Sequence, residues 1–231
     1  MSDHRDNQNP RVHSGSINSI DEFLQNMTTA VTSEQDKKQS EASAKPDSDE
    51  EHFDTLLRKG FPLRCVTFLR SHKLFGPALE AARNLWKNYV TKQDTIIVLC
   101  GFPGTGKTMM STLWALHRLK KGWSCGFYRK TVDLLRELTD TFDTSTKETV
   151  ILEKYQRTSY LVLDEYATVG NGWKNETLSN LIDHRYDNML TTIIITNIHV
   201  DALTSELHPA WLDRINHCGV IFNCDWQSYR I

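Results

Sequence analysis

Gly101-Phe102-Pro103-Gly104-Thr105-Gly106-Lys107-Thr108 is the stretch that decides the fold. These residues fill every fixed position of the phosphate-binding loop pattern G-x-x-x-x-G-K-[ST]. Glycines at such places let backbone N–H groups converge on an anion, and a helix starting directly behind them adds its dipole. The flanks agree with this. Thr95 to Cys100 is an apolar run that reads as a buried strand, and Met109 to Lys121 reads as a helix with Leu113, Leu116 and Leu119 at helical spacing. A nucleoside triphosphate site is therefore expected, with ATP and Mg²⁺ as its cofactors. Gly101, Pro103, Gly104, Thr105, Gly106 and Met109 are its nucleotide-contacting positions. Lys107 reaches the β- and γ-phosphates, and the Thr108 hydroxyl ligates Mg²⁺.

A second segment completes the chemistry. Tyr160-Leu161-Val162-Leu163-Asp164-Glu165 is an apolar strand ending in two carboxylates. An acid at the end of such a strand holds the metal, often through water. Asp164 takes that role, and Glu165 is expected to orient and deprotonate the attacking water. Trp123 to Tyr128 reads as a strand interposed in the chain between these two, which points to the additional-strand class of ATPases. Asn197, at the tip of the run Thr191 to Asn197, would contact the γ-phosphate or the lytic water, with Thr196 as second candidate. Arg214, in Leu212-Asp213-Arg214-Ile215, reads as an arginine supplied in trans to a neighbouring subunit, which implies a homo-oligomer. Arg185 and Arg230 are further candidates for that role.

Elsewhere the pattern alternates. Helices are expected at Thr131 to Phe142, Thr149 to Gln156, Glu176 to Met189, Val200 to Glu206 and Pro209 to Ile215. Strands are expected at Ser159 to Leu163, Thr192 to Thr196 and Gly219 to Asn223. Such alternation gives an α/β fold, here a five-stranded parallel sheet flanked by helices. Residues 1–51 carry 11 acidic and 5 basic side chains, against 18 and 22 in residues 52–231. That acidic, polar tail is expected to be mostly disordered. One short amphipathic helix near 17–31 is expected within it, built on Ile17, Ile20, Phe23, Leu24, Met27 and Val31. Residues 52–92 form a helical lead-in, and 93–231 the ATPase domain. The five cysteines have no zinc-ligand spacing, and no run approaches the roughly 18 apolar residues of a membrane span, so a cytoplasmic protein without membrane contact is expected.

From about Gly60 onward the chain resembles the AAA+ ATPases of the DnaC-type helicase loader and IstB-type transposition helper group. The resemblance rests on GFPGTGKT, on LVLDEY, on Leu181-Ile182-Asp183-His184-Arg185-Tyr186 ahead of TTIIITN, and on LDRI. The ending Val220 to Arg230 looks like the DnaC-type terminus, where the chain stops without a helical lid domain. The resemblance implies that Asp164 and Glu165 are the Walker B acids, Asn197 the first sensor, Arg214 the arginine finger and Arg230 a second sensor. It further implies a protein that binds the replicative hexameric DNA helicase and helps place it on single-stranded DNA. Phosphate contacts by Arg118, Lys120, Lys121, Arg129 and Lys130, with Tyr128 or Phe127 stacking on bases, would serve that end. The tail departs from the family, matching no helicase-gripping domain. Two other readings stand beside the loader. One is a transposition regulator that assembles on duplex DNA and recruits a transposase. The other is a nucleotide-switched adaptor with little turnover, against which Glu165 argues.

Overall fold

Five strands pair into one sheet. The computed structural model describes residues 49–140, 145–167 and 172–230. The helix expected near 17–31 lies outside them. The strands are β1 (Ile96–Gly101), β2 (Phe127–Lys130), β3 (Tyr160–Tyr166), β4 (Thr191–Thr196) and β5 (Val220–Cys224). Their order is β2-β3-β4-β1-β5, and every pairing is parallel. Every residue of β1 and β4 is buried, as expected of central strands covered on both faces. The strand separating β1 from β3 in space is β4, so Asn197, just after it, follows the strand that lies between the other two.

Helices cover both faces: α1 (Asp49–Arg58), α2 (Leu63–Ser71), α3 (Gly76–Leu85), α4 (Lys107–Lys120), α5 (Thr131–Thr139), α6 (Ser145–Arg157), α7 (Trp173–Asp187), α8 (Val200–Glu206) and α9 (Pro209–Cys218). Val98, Cys100, Leu161, Leu163 and Ile194 pack with Leu134, Leu181, Ile182 and Ile215 on one face. The alternate residues of the same strands face α4 on the other, since side chains alternate along a strand. The lead-in is docked by Trp114, whose indole N–H donates to the Ala82 carbonyl (3.0 Å). It also closes the outer side of β2, where the Tyr128 N–H donates to the Lys59 carbonyl (3.0 Å).

Several boundaries differ from expectation. The second strand begins at Phe127 rather than Trp123, because Gly122 and Gly126 take positive φ and the Trp123 N–H turns back to the Arg118 carbonyl. The Trp123 ring then stacks on Trp86. β3 continues through Tyr166 instead of stopping at Leu163, so both acids belong to the strand. α5 ends at Thr139, α6 starts at Ser145, and α7 spans Trp173–Asp187 before Met189 ends the turn at φ 53°. α1 begins at Asp49, whose carboxylate meets Lys120 (2.9 Å), so a helix reaches into the segment assigned to the tail.

Arg185 is not an arginine offered to a neighbour. It is fully buried on α7 and donates to the carbonyls of Tyr155, Thr158 and Thr191 and to the Thr192 hydroxyl, at 2.6–2.9 Å. Burial lowers its pKa, and the oxygen cage keeps the cation satisfied. Arg185→Leu strands those acceptors and should destabilise the fold by about 3 kcal/mol or more, read from urea unfolding.

His117 is buried on α4, edge-on to Trp86 at 4.2 Å. Burial, then the Lys121 and Lys120 charges, hold its imidazole down at about 3. An unfolded histidine titrates near 6.5, so the unfolded state binds the extra proton as pH falls. This contribution is complete above pH ~6.5 and is lost as pH drops toward ~3, amounting to about 2 kcal/mol at pH ~5. Thermal melts at pH ~7 and ~5 should show His117→Phe losing less stability on acidification than the unaltered protein.

Candidate nucleotide site

The chain leaves β1 at Gly101 and turns through the loop into α4. Gly101, Gly104 and Gly106 take φ of 110°, 83° and 90°. At Gly104 the requirement is also spatial: a Cβ there would lie 2.0 Å from the Ser228 hydroxyl. The N-terminus of α4 has no side-chain cap and no acidic residue in its first turn, which leaves an electropositive end for an anion. Lys107 is buried, and its ammonium donates to the Gly101 and Phe102 carbonyls, both at 2.7 Å. Burial lowers its pKa.

Asp164 sits opposite. Its Oδ2 accepts from the Thr108 hydroxyl (2.7 Å) and the Tyr128 phenol (2.6 Å), and its Oδ1 accepts from the Glu165 N–H (2.7 Å). Burial, then the Asp164 charge, push the Tyr128 phenol up, so it remains a donor. Glu165 takes φ 55° at a register irregularity between Leu163 and Tyr166. Its half-exposed carboxylate meets the Lys130 ammonium at 2.8 Å. Thr196, the second candidate beside Asn197, is buried and engaged: its hydroxyl donates to the Tyr166 carbonyl (2.7 Å) and accepts from the Ile198 N–H (3.1 Å).

These groups open onto a cavity of about 460 Å³. Pro103, Gly104, Gly106, Lys107, Thr108, Met109, Asp164, Glu165, Asn197 and Arg230 all line it. Gly101 and Thr105 do not. They support the loop from within, Thr105 by donating to the Phe102 carbonyl (2.9 Å). Arg214 is elsewhere, donating to the Ala210 carbonyl (2.9 Å), 3.2 Å from Asp183 and lying over the Tyr186 ring. The rest of the wall escaped the sequence. Arg64, Cys65 and Phe68 on α2, with Leu74, Phe75 and Tyr229, supply its largely apolar part. No local pattern marks them, since their place depends on how the lead-in docks.

The donor set suits a magnesium triphosphate. Thr108 Oγ1 and Asp164 Oδ2 lie together as hard oxygen donors, the kind Mg²⁺ takes alongside substrate phosphates. Among the described residues no cluster of three or more His, Cys, Asp or Glu could hold an ion without such phosphates.

The residues expected to contact nucleic acid make contacts within the chain, Lys121 over the Trp123 ring at 5.6 Å among them. Arg118 is buried between Trp123 and Tyr160 and donates to the Ser124 carbonyl (2.8 Å). Lys120 is tied to Asp49, Arg129 to the Tyr128 carbonyl and Glu137, and Lys130 to Glu165. Tyr128 is buried against Asp164, and Phe127 carries the Lys59 and Lys154 ammonium groups on its ring. Neither ring is presented for base stacking. Lys130 nevertheless keeps 43% of its side chain exposed.

Residues 81–231 match the model of a family described as IstB-like ATP binding protein. No curated protein matches the chain. Among solved structures it is similar to the DnaC helicase loader at 24% identity and a TM-score of 0.59, covering 70% of this chain and 99% of that one. DnaI is similar at 19% identity and a TM-score of 0.54, covering 67% and 89%. DnaA from Aquifex aeolicus, bound to AMPPCP, is similar at 17% identity and a TM-score of 0.54, covering 65% of this chain and 48% of that one. At these identities the likeness is one of fold.

Tyr128→Phe removes a buried hydrogen bond to a charged group. It should lower the stability of the nucleotide-free protein by about 2 kcal/mol in denaturant titration.

Proposed function

The chain belongs to the family of IstB-like ATP binding proteins, and from that premise we propose that it is an ATP-dependent loader of the replicative DNA helicase. It would bind the hexameric helicase and help place it on single-stranded DNA. The observation that supports this best is the likeness to the DnaC helicase loader over nearly all of that chain.

In this reading the triphosphate lies along residues 103–109, and the apolar wall of the cavity takes the base. Lys107 exchanges its loop carbonyls for β- and γ-phosphate oxygens. Thr108 and Asp164 would hold Mg²⁺, which would supply charge neutralisation for the triphosphate. Glu165 accepts a proton from the water that attacks the γ-phosphorus, once its carboxylate is released from Lys130. Asn197 orients that water, and Arg230 at the cavity wall contacts the phosphates. Arg214, exchanging Asp183 for a neighbour's nucleotide, makes the active form a homo-oligomer. No helix among the described residues is long and apolar enough to cross a membrane.

One other reading follows the resemblance to IstB-type transposition helpers, a protein that binds DNA and recruits a transposase, and the matching family is described as IstB-like. The two separate in one experiment. The Glu165→Gln protein, held with ATP, serves as bait in host lysate. The replicative helicase should dominate the captured material and disappear when residues 1–51 are deleted. A transposase without helicase overturns the loader and establishes the helper. In the same preparations Lys107→Ala should weaken ATP binding roughly ten- to a hundredfold, the loss expected for charge-assisted hydrogen bonds.

A further inference from the structure

After β5 the chain returns across the phosphate loop, and two of its donors take loop carbonyls. The Trp226 indole N–H donates to the Thr105 carbonyl (2.8 Å), and the Tyr229 backbone N–H donates to the Gly104 carbonyl (2.9 Å). A trans peptide is planar, so its C=O and the following N–H point in opposite directions. Holding the Gly104 carbonyl therefore aims the Thr105 N–H, and holding the Thr105 carbonyl aims the Gly106 N–H. Among the described residues neither of these N–H groups has a hydrogen-bond partner. Gly106 lines the cavity, so its N–H is an unpaired donor at the anion site. Thr105 lies buried behind it, and its N–H is the preceding donor of the same turn, as in an anion nest.

From this geometry we infer that Trp226 and Tyr229 are positioning residues for the triphosphate. They hold two loop carbonyls outward and so preset two N–H groups for the phosphates. The inference rests on the cavity being a nucleoside triphosphate site.

The clasp is itself anchored. The Tyr229 hydroxyl donates to the Phe75 carbonyl (3.1 Å) and accepts from the Ala78 N–H (3.2 Å) at the start of α3, a helix end with no side-chain cap of its own. Its ring meets Phe75 edge-on at 5.2 Å and lies beside Gly106. Ser228 fills the space that Gly104 leaves by lacking a Cβ. Each contact draws the returning chain against the loop, so the two donors cannot drift from their acceptors without breaking the anchor.

Trp226→Phe keeps an aromatic ring beside Phe222 while removing the N–H donor together with part of the indole. Calorimetric titration with a non-hydrolysable ATP analogue and Mg²⁺ should show affinity falling about fivefold, the worth of one hydrogen bond. The melting temperature of the nucleotide-free protein should stay within about 2 °C, because the loop keeps its other ties. Unchanged affinity in Trp226→Phe overturns the inference, whatever happens to the melting temperature, and leaves the site reading intact. If the unaltered protein takes up no nucleotide, the site reading fails and carries the inference down with it.

Discussion

A buried carboxylate is tolerated only when donors surround it, and Asp164 finds its donors on three separate elements. Thr108 comes from the first turn of α4, Tyr128 from β2, and the Glu165 N–H from β3 itself. The carboxylate thus fixes the start of the loop helix against the sheet. It also fixes the edge strand against its neighbour, in the register that sets Lys130 beside Asp164. Glu165 follows from the same constraint. Its N–H bends back to Asp164 at positive φ, a conformation that costs a non-glycine residue about 1 kcal/mol or more. The strain turns its carboxylate to Lys130.

Basic side chains serve here largely as internal ties. Lys107 folds onto loop carbonyls, Arg118 bridges α4 to the turn before β2, Arg185 joins three segments, and Arg214 lies on Asp183. Each guanidinium or ammonium gathers carbonyl or carboxylate oxygens that would otherwise be buried without donors. Among the described residues Lys107, Arg118 and Arg185 are the buried lysine and arginine side chains, so part of the mild positive balance of residues 52–231 lies inside the fold.

What could be read from the sequence divides along the same line. The phosphate loop, the acid pair and the apolar runs are local patterns, and local chemistry dictates them. Trp123 misled because a large aromatic beside apolar residues resembles a strand start, while the two flanking glycines that make it a turn are two positions among many. Arg185 resembled a catalytic arginine since sequence shows a charge but not its burial. The contacts that finish the cavity join Tyr229 to Phe75 and Trp226 to Thr105, pairs more than a hundred positions apart. No window of sequence holds both partners.

The strand order has one more consequence, for the moment of synthesis. β1 is all buried and pairs with β4 on one side and β5 on the other, yet β2 and β3 are made before either. A ribosome adding about 5–20 residues per second exposes Ile96 to Cys100 with neither neighbour for several seconds. Over that interval Ile-Ile-Val-Leu-Cys is an uncharged, strand-forming segment with both edges open, the kind of surface that chaperones hold and that aggregates form upon. The strand that carries the phosphate loop is therefore the nascent chain's most exposed liability until residues 191–224 arrive to cover it.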